Sequence, residues 1–503
     1  MAQDALSNGF VRLCIDPSLN FFDGSCRILA IGQALDGPTE ALIPNVIATV
    51  NSERDLEEMF GVGSIMTEAL RVVMCACPSS IEVSALPLAD PAAGVAAVYT
   101  MTVTGPATSD GRFTLFLGND TYNIDVPVSE GETAAAIANK VAAAVSIDFP
   151  YDAAAVDATV TFTAKNAGTI GNYLNPVYNW AGRRNYAPAG VTVATVLTTP
   201  GAGAPVVPNL INLTGECCFD VVVYLGDDEA GKEAVNTYLQ DAWSCDKPQC
   251  FGHGYVFDAG TLGEVLASGN NAATLSRLAY AEDSFDFPYL TLANYAALSA
   301  CIACTNPETS VQGPENGLLS CVALPQSCSS PWTFDERLQL QEMGFVTYGP
   351  SGFGAGELTN PLIYNDVTNY LYDDLGRANV TFRDTNSRRL AAETALSIAE
   401  QLQTYNGLSL FTRTTKIQEG VKGTNLRLML ADIRTWAKSN IGTLFSEFEN
   451  IDTDIRLRSD AEVAAKCRGN PGLIHLDFRY YPPVRIGQIR TNLQPKLLDN
   501  CDR

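Results

Sequence analysis

The sequence predicts a multidomain chain of mixed α+β and α/β class, with a β-rich domain inserted into an α/β domain and a strand-like arm at each end. Three observations predict it. The 503 residues, 46% hydrophobic and 17% charged, suffice for about three cores at roughly 100–200 residues per domain. Continuous apolar strand runs and helical patterns alternate on either side of a middle block, as in a partly parallel α/β layer. The block itself, from about residue 97, is built of short Thr- and Val-rich alternating runs divided by Gly, Asp and Asn.

The elements follow in order. Val11–Asp16 alternates with period two and reads as a half-buried strand outside any domain, within an N-terminal arm over 1–22. The first part of the α/β domain, 23–96, holds a buried strand at Arg27–Gln33, helices at Leu56–Phe60 and Met66–Cys75 with Ser64 as N-cap, and a strand at Ile81–Leu88. The insertion, 97–202, carries strands at Tyr99–Thr104, Arg112–Gly118, Thr121–Val128 and Ala158–Ala164. One helix, Thr133–Val145, interrupts them. The α/β domain resumes over 203–360 with the strand Phe219–Leu225, a helix from Glu229 to Trp243, a capped helix at Thr333–Met343 and a strand at Phe345–Tyr348. A last domain, 361–483, reads as helices at Leu390–Leu402, Leu426–Phe448 and Ser459–Cys467, then a strand at Leu473–Tyr481. A C-terminal arm over 484–503 closes the chain, with Val484 and Ile486 and weaker apolar continuation at Ile489.

Charge excludes whole classes of partner. Lys plus Arg is 32 and Asp plus Glu is 56, a net −24 that argues against general nucleic-acid binding and against an anionic membrane. No basic, apolar leader opens the chain, and no run reaches the ~18 apolar residues of a membrane span. The chain is therefore expected to be made in a cytoplasm and to stay soluble. The charge is uneven: from Arg377 onward 19 Lys/Arg face 14 Asp/Glu, whereas the first 376 residues carry 13 against 42. Such a basic block is either a face for a distinct partner or a solvated helical region.

With two histidines, His253 and His475, a His-rich metal site or catalytic His pair is nearly excluded. Fourteen cysteines are unusual for a cytoplasmic chain. Cys301-x-x-Cys304 lacks a partner pair of zinc spacing, since Cys321 and Cys328 are too far apart, and Cys245, Cys250 and His253 offer only three ligands. Gly226–Glu233 follows a strand and precedes a helix, as a phosphate loop does. Yet Glu233 stands where a hydroxyl is needed, and Asp227, Asp228 and Glu229 would repel a polyphosphate. Ser351–Gly356 has the glycines of a nucleotide loop without the strand and helix, and reads as a surface loop. His475, inside an apolar run, reads as structural. No catalytic constellation, metal site or cofactor site emerges.

The order of segments resembles the tail sheath proteins of contractile-tailed phages, in particular the Mu-like branch. The residues that carry the resemblance are Phe60-Gly61-Val62-Gly63-Ser64-Ile65-Met66, then Leu86-Pro87-Leu88-Ala89-Asp90 with Gly94. Within the insertion comes Thr163-Ala164-Lys165-Asn166-Ala167-Gly168-Thr169-Ile170-Gly171-Asn172. After it stand Gly201-Ala202-Gly203-Ala204-Pro205, Phe219-Asp220, Phe334-Asp335-Glu336-Arg337, Gly344 and Tyr348. The pieces run in order over essentially the whole chain; the high cysteine content departs from the pattern.

The resemblance implies the phage tail sheath fold and a non-enzymatic structural subunit. It implies helical rings of identical copies around a tail tube, contraction that drives the tube through a cell envelope, and baseplate and tail terminator proteins as further partners. It places the protein in the virion after assembly in the host cytoplasm. It also implies that the arms enter neighbouring subunits, through Val11, Leu13, Ile15, Val484, Ile486 and Ile489, and complete their sheets. The basic block, with Arg388, Arg389, Lys416, Lys422 and Arg427, is expected to face the tube through weak ion pairs. Because a sheath assembles in a reducing cytoplasm and acts outside it, Cys14 and Cys501 on the arms are candidates for disulfides between subunits. Cys217, Cys218, Cys301 and Cys304, near apolar runs, are expected to be ordinary buried thiols. Two other classes stay open: a secreted or surface-array structural or binding protein held by disulfides, and a cytosolic zinc or redox-cysteine enzyme.

Overall fold

The structure, a computed structural model, describes residues 26–453 and 476–481. The short stretches 180–186, 244–249, 282–286, 306–316, 326–331, 350–357 and 412–415, and the single positions 118, 216, 270, 323, 374, 380, 406 and 445, lie outside that description. So do both arms, Ser459–Cys467, His475 and the loop Ser351–Gly356.

The first described element is strand β1 (Cys26–Gln33), whose centre Ile28–Ile31 is apolar on both faces because both faces are covered. Strand β2 (Ala48–Val50) leads to helices α1 (Glu53–Phe60) and α2 (Ile65–Ala76). Ser64 caps α2 as its position foretold, its side chain accepting from Thr67 N. Strand β3 (Ile81–Leu88) lies parallel to β1 with Cys26 opposite Ile81 and Gln33 opposite Leu88.

The next hundred residues form separate sheets. They comprise β4 (Ala96–Thr104), β5 (Gly111–Leu117), β6 (Asn119–Val128), α3 (Ala134–Ala144), β7 (Tyr151–Val156), β8 (Thr159–Ala167), β9 (Val177–Tyr178) and β10 (Thr192–Thr199). A four-stranded sheet has the order β10-β4-β8-β7 and a three-stranded one the order β6-β5-β9. In β8 every second residue is buried, which is the period-two pattern of its sequence. Val160, Phe162 and Ala164 from β8, Tyr99 and Met101 from β4, and Ile137 and Val141 from α3 belong to one core.

The parallel sheet then resumes. Helix α4 (Leu210–Thr214) precedes β11 (Val221–Tyr224), and α5 (Glu229–Trp243), β12 (His253–Gly260), α6 (Leu262–Ser268), β13 (Leu275–Ala281) and α7 (Pro288–Thr305) follow. After β14 (Leu324–Pro325), α8 (Phe334–Glu342) opens with a capping box between Thr333 and Glu336. The seven-stranded sheet has the order β15-β13-β12-β11-β1-β3-β2, where β15 is Phe345–Val346; within it β2 alone runs antiparallel to its neighbour. Ile28 and Ala30 of β1 join the core shared with α2 and α7, whereas Leu29 and Ile31 join the core shared with α5. This gives three layers, with α2 and α7 on one face and α5 on the other. Helix α7 is buried over most of its circumference, with Tyr289, Leu292, Ala293, Tyr295, Ala296 and Ala300 inaccessible to solvent.

Two expected elements differ. Phe345–Tyr348 is two strands in different sheets: β15 extends β13, while β16 (Tyr348–Gly349) pairs antiparallel with β18 (Leu362–Ile363), β17 (Leu358–Thr359) lying on β14. Thr347 between them gives its N–H and its hydroxyl to Asn365 Oδ1, at 2.8 and 2.7 Å, instead of to a neighbouring strand. The chain continues through α9 (Thr385–Gln403), β19 (Ser409–Phe411) and β20 (Gly423–Asn425). The expected helix Leu426–Phe448 is only α10 (Leu426–Ser439): Asn440 caps it, Gly442 takes a φ of 87°, and Phe448 lies in β21 (Glu447–Thr453), paired with β22 (Leu476–Tyr481).

Candidate functional site

In an open parallel sheet, ligands bind outside the carboxyl ends of the strands where the strand order reverses. Here the chain runs from β1 outward to β3 and, after the inserted sheets, returns to β11 on the opposite side of β1, so the reversal falls between β1 and β11. Gln33 ends β1, and Leu225-Gly226-Asp227-Asp228 follows β11.

The segment Lys165–Tyr173, the end of β8 and the 3₁₀ turn after it, fills this place. Thr169 Oγ1 donates to Asp227 at 2.6 Å and Tyr173 OH donates to the same carboxylate at 3.1 Å. Gln33 Nε2 donates to Ala167 O and to Asp90 Oδ1, each at 2.6 Å. Asp90 also accepts from Ala167 N at 2.7 Å and from Asn166 Nδ2 at 3.0 Å. Asn166 Oδ1 in turn accepts from Ile65 N at 3.0 Å, satisfying one of the orphan N–H groups at the start of α2. Lys165 Nζ donates to Val62 O at 3.3 Å.

The glycines have a geometric reason. Gly168 has a φ of 130°, and a Cβ placed on Gly201 would stand 2.2 Å from Gly168 O. Asn172 closes this crossing, donating to Gly201 O at 3.1 Å and accepting from Gly201 N at 2.6 Å. Tyr173 then inserts edge-on between Phe257 and Tyr280, with centroids 6.0 and 6.1 Å away. Burial, with Asp227 beside it, holds the Tyr173 hydroxyl protonated far above the ordinary tyrosine range. At the edge of the seam, burial pushes the Glu68 carboxyl up to about 8 against the pull of Arg71, 2.8 Å away, and pulls the Lys165 ammonium down.

Chemistry that the crevice could otherwise perform is thereby closed off. The loop Gly226–Glu233 cannot cradle phosphate: Asp228 already accepts from Gly231 N at 2.7 Å at the start of α5, and Lys232 points inward to Asp258 at 2.8 Å. Asp258 also holds the fully buried Arg277 at 3.0 Å, and Arg277 reaches the exposed Glu229 at 2.8 Å, so the buried Lys232 and Arg277 share one buried carboxylate and a second at the surface. Among the described residues, no three His, Cys, Asp or Glu side chains are placed to hold a metal, and no helix is long and apolar enough to cross a membrane.

The cysteines split the two sets considered for zinc. Cys321 is bonded to Cys75 and Cys250 to Cys218. Cys218 is thus not the buried thiol expected, and Cys217 is exposed. The arm residues Val11, Leu13, Ile15, Val484, Ile486 and Ile489, with Cys14 and Cys501, lie outside the described residues. Of the basic block, Lys416, Lys422 and Arg427 are exposed and Arg389 is half-buried. Arg388 is a correction: it is 3% exposed, lies 4.8 Å over the Trp243 ring, and donates to the carbonyls of Phe251 and Gly252. A guanidinium so enclosed joins α9 to the end of α5 and offers no charge to a partner.

The residues of the seam carry the family resemblance, yet nothing in the sequence shows that they meet one another. Asp90 and Asp227, which hold the segment, are 137 positions apart, one in a resemblance motif and one in a rejected phosphate loop, and neither pointed to the other.

No family model matches the chain. Among curated proteins it is similar to the Mu-like prophage FluMu tail sheath protein of Haemophilus influenzae, 26% identical over 326 residues; the match spans 64% of this chain and 64% of the length of that relative. This bears out the resemblance read from the motifs. Among solved structures the chain is similar to a sheath tail protein of Desulfitobacterium hafniense, with 11% identity, a TM-score of 0.42, and 86% of this chain and 90% of that one covered. It is also similar to the helical sheath of the anti-feeding prophage in its contracted state, with 12% identity, a TM-score of 0.46, and 97% and 98% covered.

Proposed function

We propose that this protein is a structural sheath subunit that polymerises helically around a tail tube and contracts to drive the tube through a cell envelope. The observation that carries the reading is a coincidence of sequence and geometry: the stretch Lys165–Tyr173, most of it within the motif by which the chain resembles Mu-like sheath proteins, is the stretch that fills the switch-point crevice. A fold that closes its own ligand crevice with a half-buried hydrogen-bonded seam is suited to carrying load between layers, and ill suited to turning over a substrate.

Within this reading, the arms over 1–22 and 484–503 enter neighbouring copies, and the ribbon β21–β22, two-stranded among the described residues, is their acceptor, since such a ribbon is marginal by itself. The inserted sheets, 97–202, form a body on the outside of the assembly. The tube contact falls to Arg389, Lys416, Lys422 and Arg427, with baseplate and terminator proteins at the ends, in a virion assembled in the host cytoplasm. Contraction draws on a more favourable packing of each subunit against its neighbours in the shortened lattice, multiplied over many copies. The disulfides Cys75–Cys321 and Cys218–Cys250 also suit the rival reading, a secreted or surface-array protein. Electron microscopy of the purified full chain separates them: sheathed or hollow tubes support the sheath, and planar arrays or persistent monomers overturn it.

A further inference from the structure

Cys77 caps the C-terminus of α2, and Cys301 lies in the C-terminal third of α7; the two helices share one core. Each thiol rests against the backbone of the other helix, with Cys77 Sγ 3.8 Å from Ala297 O and Cys301 Sγ 3.4 Å from Ala76 O. Ala76 is the neighbour of Cys77 and Ala297 lies one turn before Cys301, so these contacts set the two thiols side by side. Two residues before Cys77, Cys75 is already bonded to Cys321. Both thiols are half-buried, so neither is sealed from a small oxidant.

We infer that Cys77 and Cys301 are an oxidant-sensitive dithiol that closes into a further disulfide between α2 and α7, beside the Cys75–Cys321 bridge. The closing reagent is a small-molecule disulfide of the glutathione class. One cysteine thiolate attacks one sulfur of that disulfide, forming a mixed disulfide and expelling one thiolate. The other cysteine, deprotonated, attacks the protein-bound sulfur of the mixed disulfide and expels the second. Two protein thiols lose two electrons and two protons, and one small disulfide is reduced to two thiols.

The environment orders the steps. The neighbouring Cys77 draws the Cys301 thiol below the ordinary range, whereas the neighbouring Cys301, with burial, raises Cys77. Cys301 is therefore the first nucleophile and Cys77 the resolving thiol. Because Cys75–Cys321 already joins the distant parts of the chain, the new bridge closes a loop of only roughly 25 residues. Its effect is accordingly local, pinning the C-terminal end of α7 to α2. The inference does not depend on polymerisation and stands or falls apart from the sheath reading.

The test uses the full chain treated with oxidised glutathione, blocked with N-ethylmaleimide and digested for mass spectrometry. The expected result is a linked peptide pair containing Cys77 and Cys301, two hydrogens lighter than the separate thiols. Amide exchange in residues 298–305 should slow about tenfold on closure. In C77S, Cys301 should be recovered as a glutathione adduct; in C301S, Cys77 should remain alkylatable. Exposed Cys217 serves as the internal control for oxidation. If Cys217 is modified while Cys77 and Cys301 are both still alkylated, the inference is overturned. It is equally overturned if either is found bonded to another cysteine, such as Cys304. Should the serine variants fail to fold, the wild-type linked peptide alone decides.

Discussion

Replacing Asp90 with alanine removes one carboxylate that accepts three hydrogen bonds across the seam, from Gln33, Asn166 and Ala167 N, at 2.6, 3.0 and 2.7 Å. Hydrogen bonds to a charged group contribute roughly 1.5–3 kcal/mol each, and a buried donor left unmade costs about 1–3 kcal/mol. Gln33 retains Ala167 O as an acceptor, but Asn166 Nδ2 and Ala167 N are stranded. Asp90 is only half-buried, so water reaches part of the vacated site and offsets part of the loss. A net cost of about 3 kcal/mol remains, equivalent to roughly a 100-fold rise in opening of the seam. The assay is native-state hydrogen exchange, which resolves local opening in a chain too large for two-state unfolding. Residues 165–173 should exchange roughly 100-fold faster in D90A while β1 and β11 keep their protection. Asp90→Asn, which keeps one acceptor oxygen, should fall between. If exchange over 165–173 changes less than about threefold in D90A, the seam is not held by this carboxylate and the reasoning fails.

Further outcomes follow from the structure and from the proposed function. The Glu68 carboxyl, pushed up to about 8 in the fold from an unfolded value near 4.5, binds its proton more tightly when folded. The stabilisation it contributes is therefore whole below about pH 4.5 and is lost as pH rises to about 8; Glu68→Gln should flatten the thermal midpoint over that window, and an unchanged slope would sink the assignment. Deleting 1–16 or 486–503 should leave folded monomers that no longer assemble, and ordered tubes from either truncation would remove that arm as a linker. Reversing Lys416, Lys422 and Arg427 should abolish assembly on the tube and leave the monomer's melting unchanged. Arg388→Glu should instead destabilise the monomer by about 3–5 kcal/mol, because it buries an unpaired carboxylate against Trp243; equal melting for both variants would contradict the placement of Arg388. Non-reducing electrophoresis of mature particles, thiols blocked first, should give a ladder of multimers through Cys14 or Cys501, and monomer bands alone would end that idea.

What the sequence by itself determined were the elements whose signals are local. Ser64 and the Thr333–Glu336 pair mark helix starts because a side-chain oxygen three residues from an orphan N–H needs nothing distant to act. The Thr/Val alternation of the insertion likewise declares half-buried strands, and β3 and α5 lie where their apolar runs and turn residues put them. The Mu-like motifs identified the relationship without saying what they build. Helix α7 was silent because a helix buried on nearly every side has no amphipathic period to detect. Strand β13 was hidden by Arg277, a charge that belongs in a core only once Asp258 and Glu229 are folded against it. Arg388 counted as one more basic surface residue until α9 laid it over Trp243. The pairing of Cys75 with Cys321, 246 positions away, and the meeting of Asp90 and Asp227 on one inserted segment were decided only by the tertiary structure. Local chemistry is written in neighbouring residues, whereas the burial of a charge or the choice of a thiol's partner is a property of segments that only folding brings together.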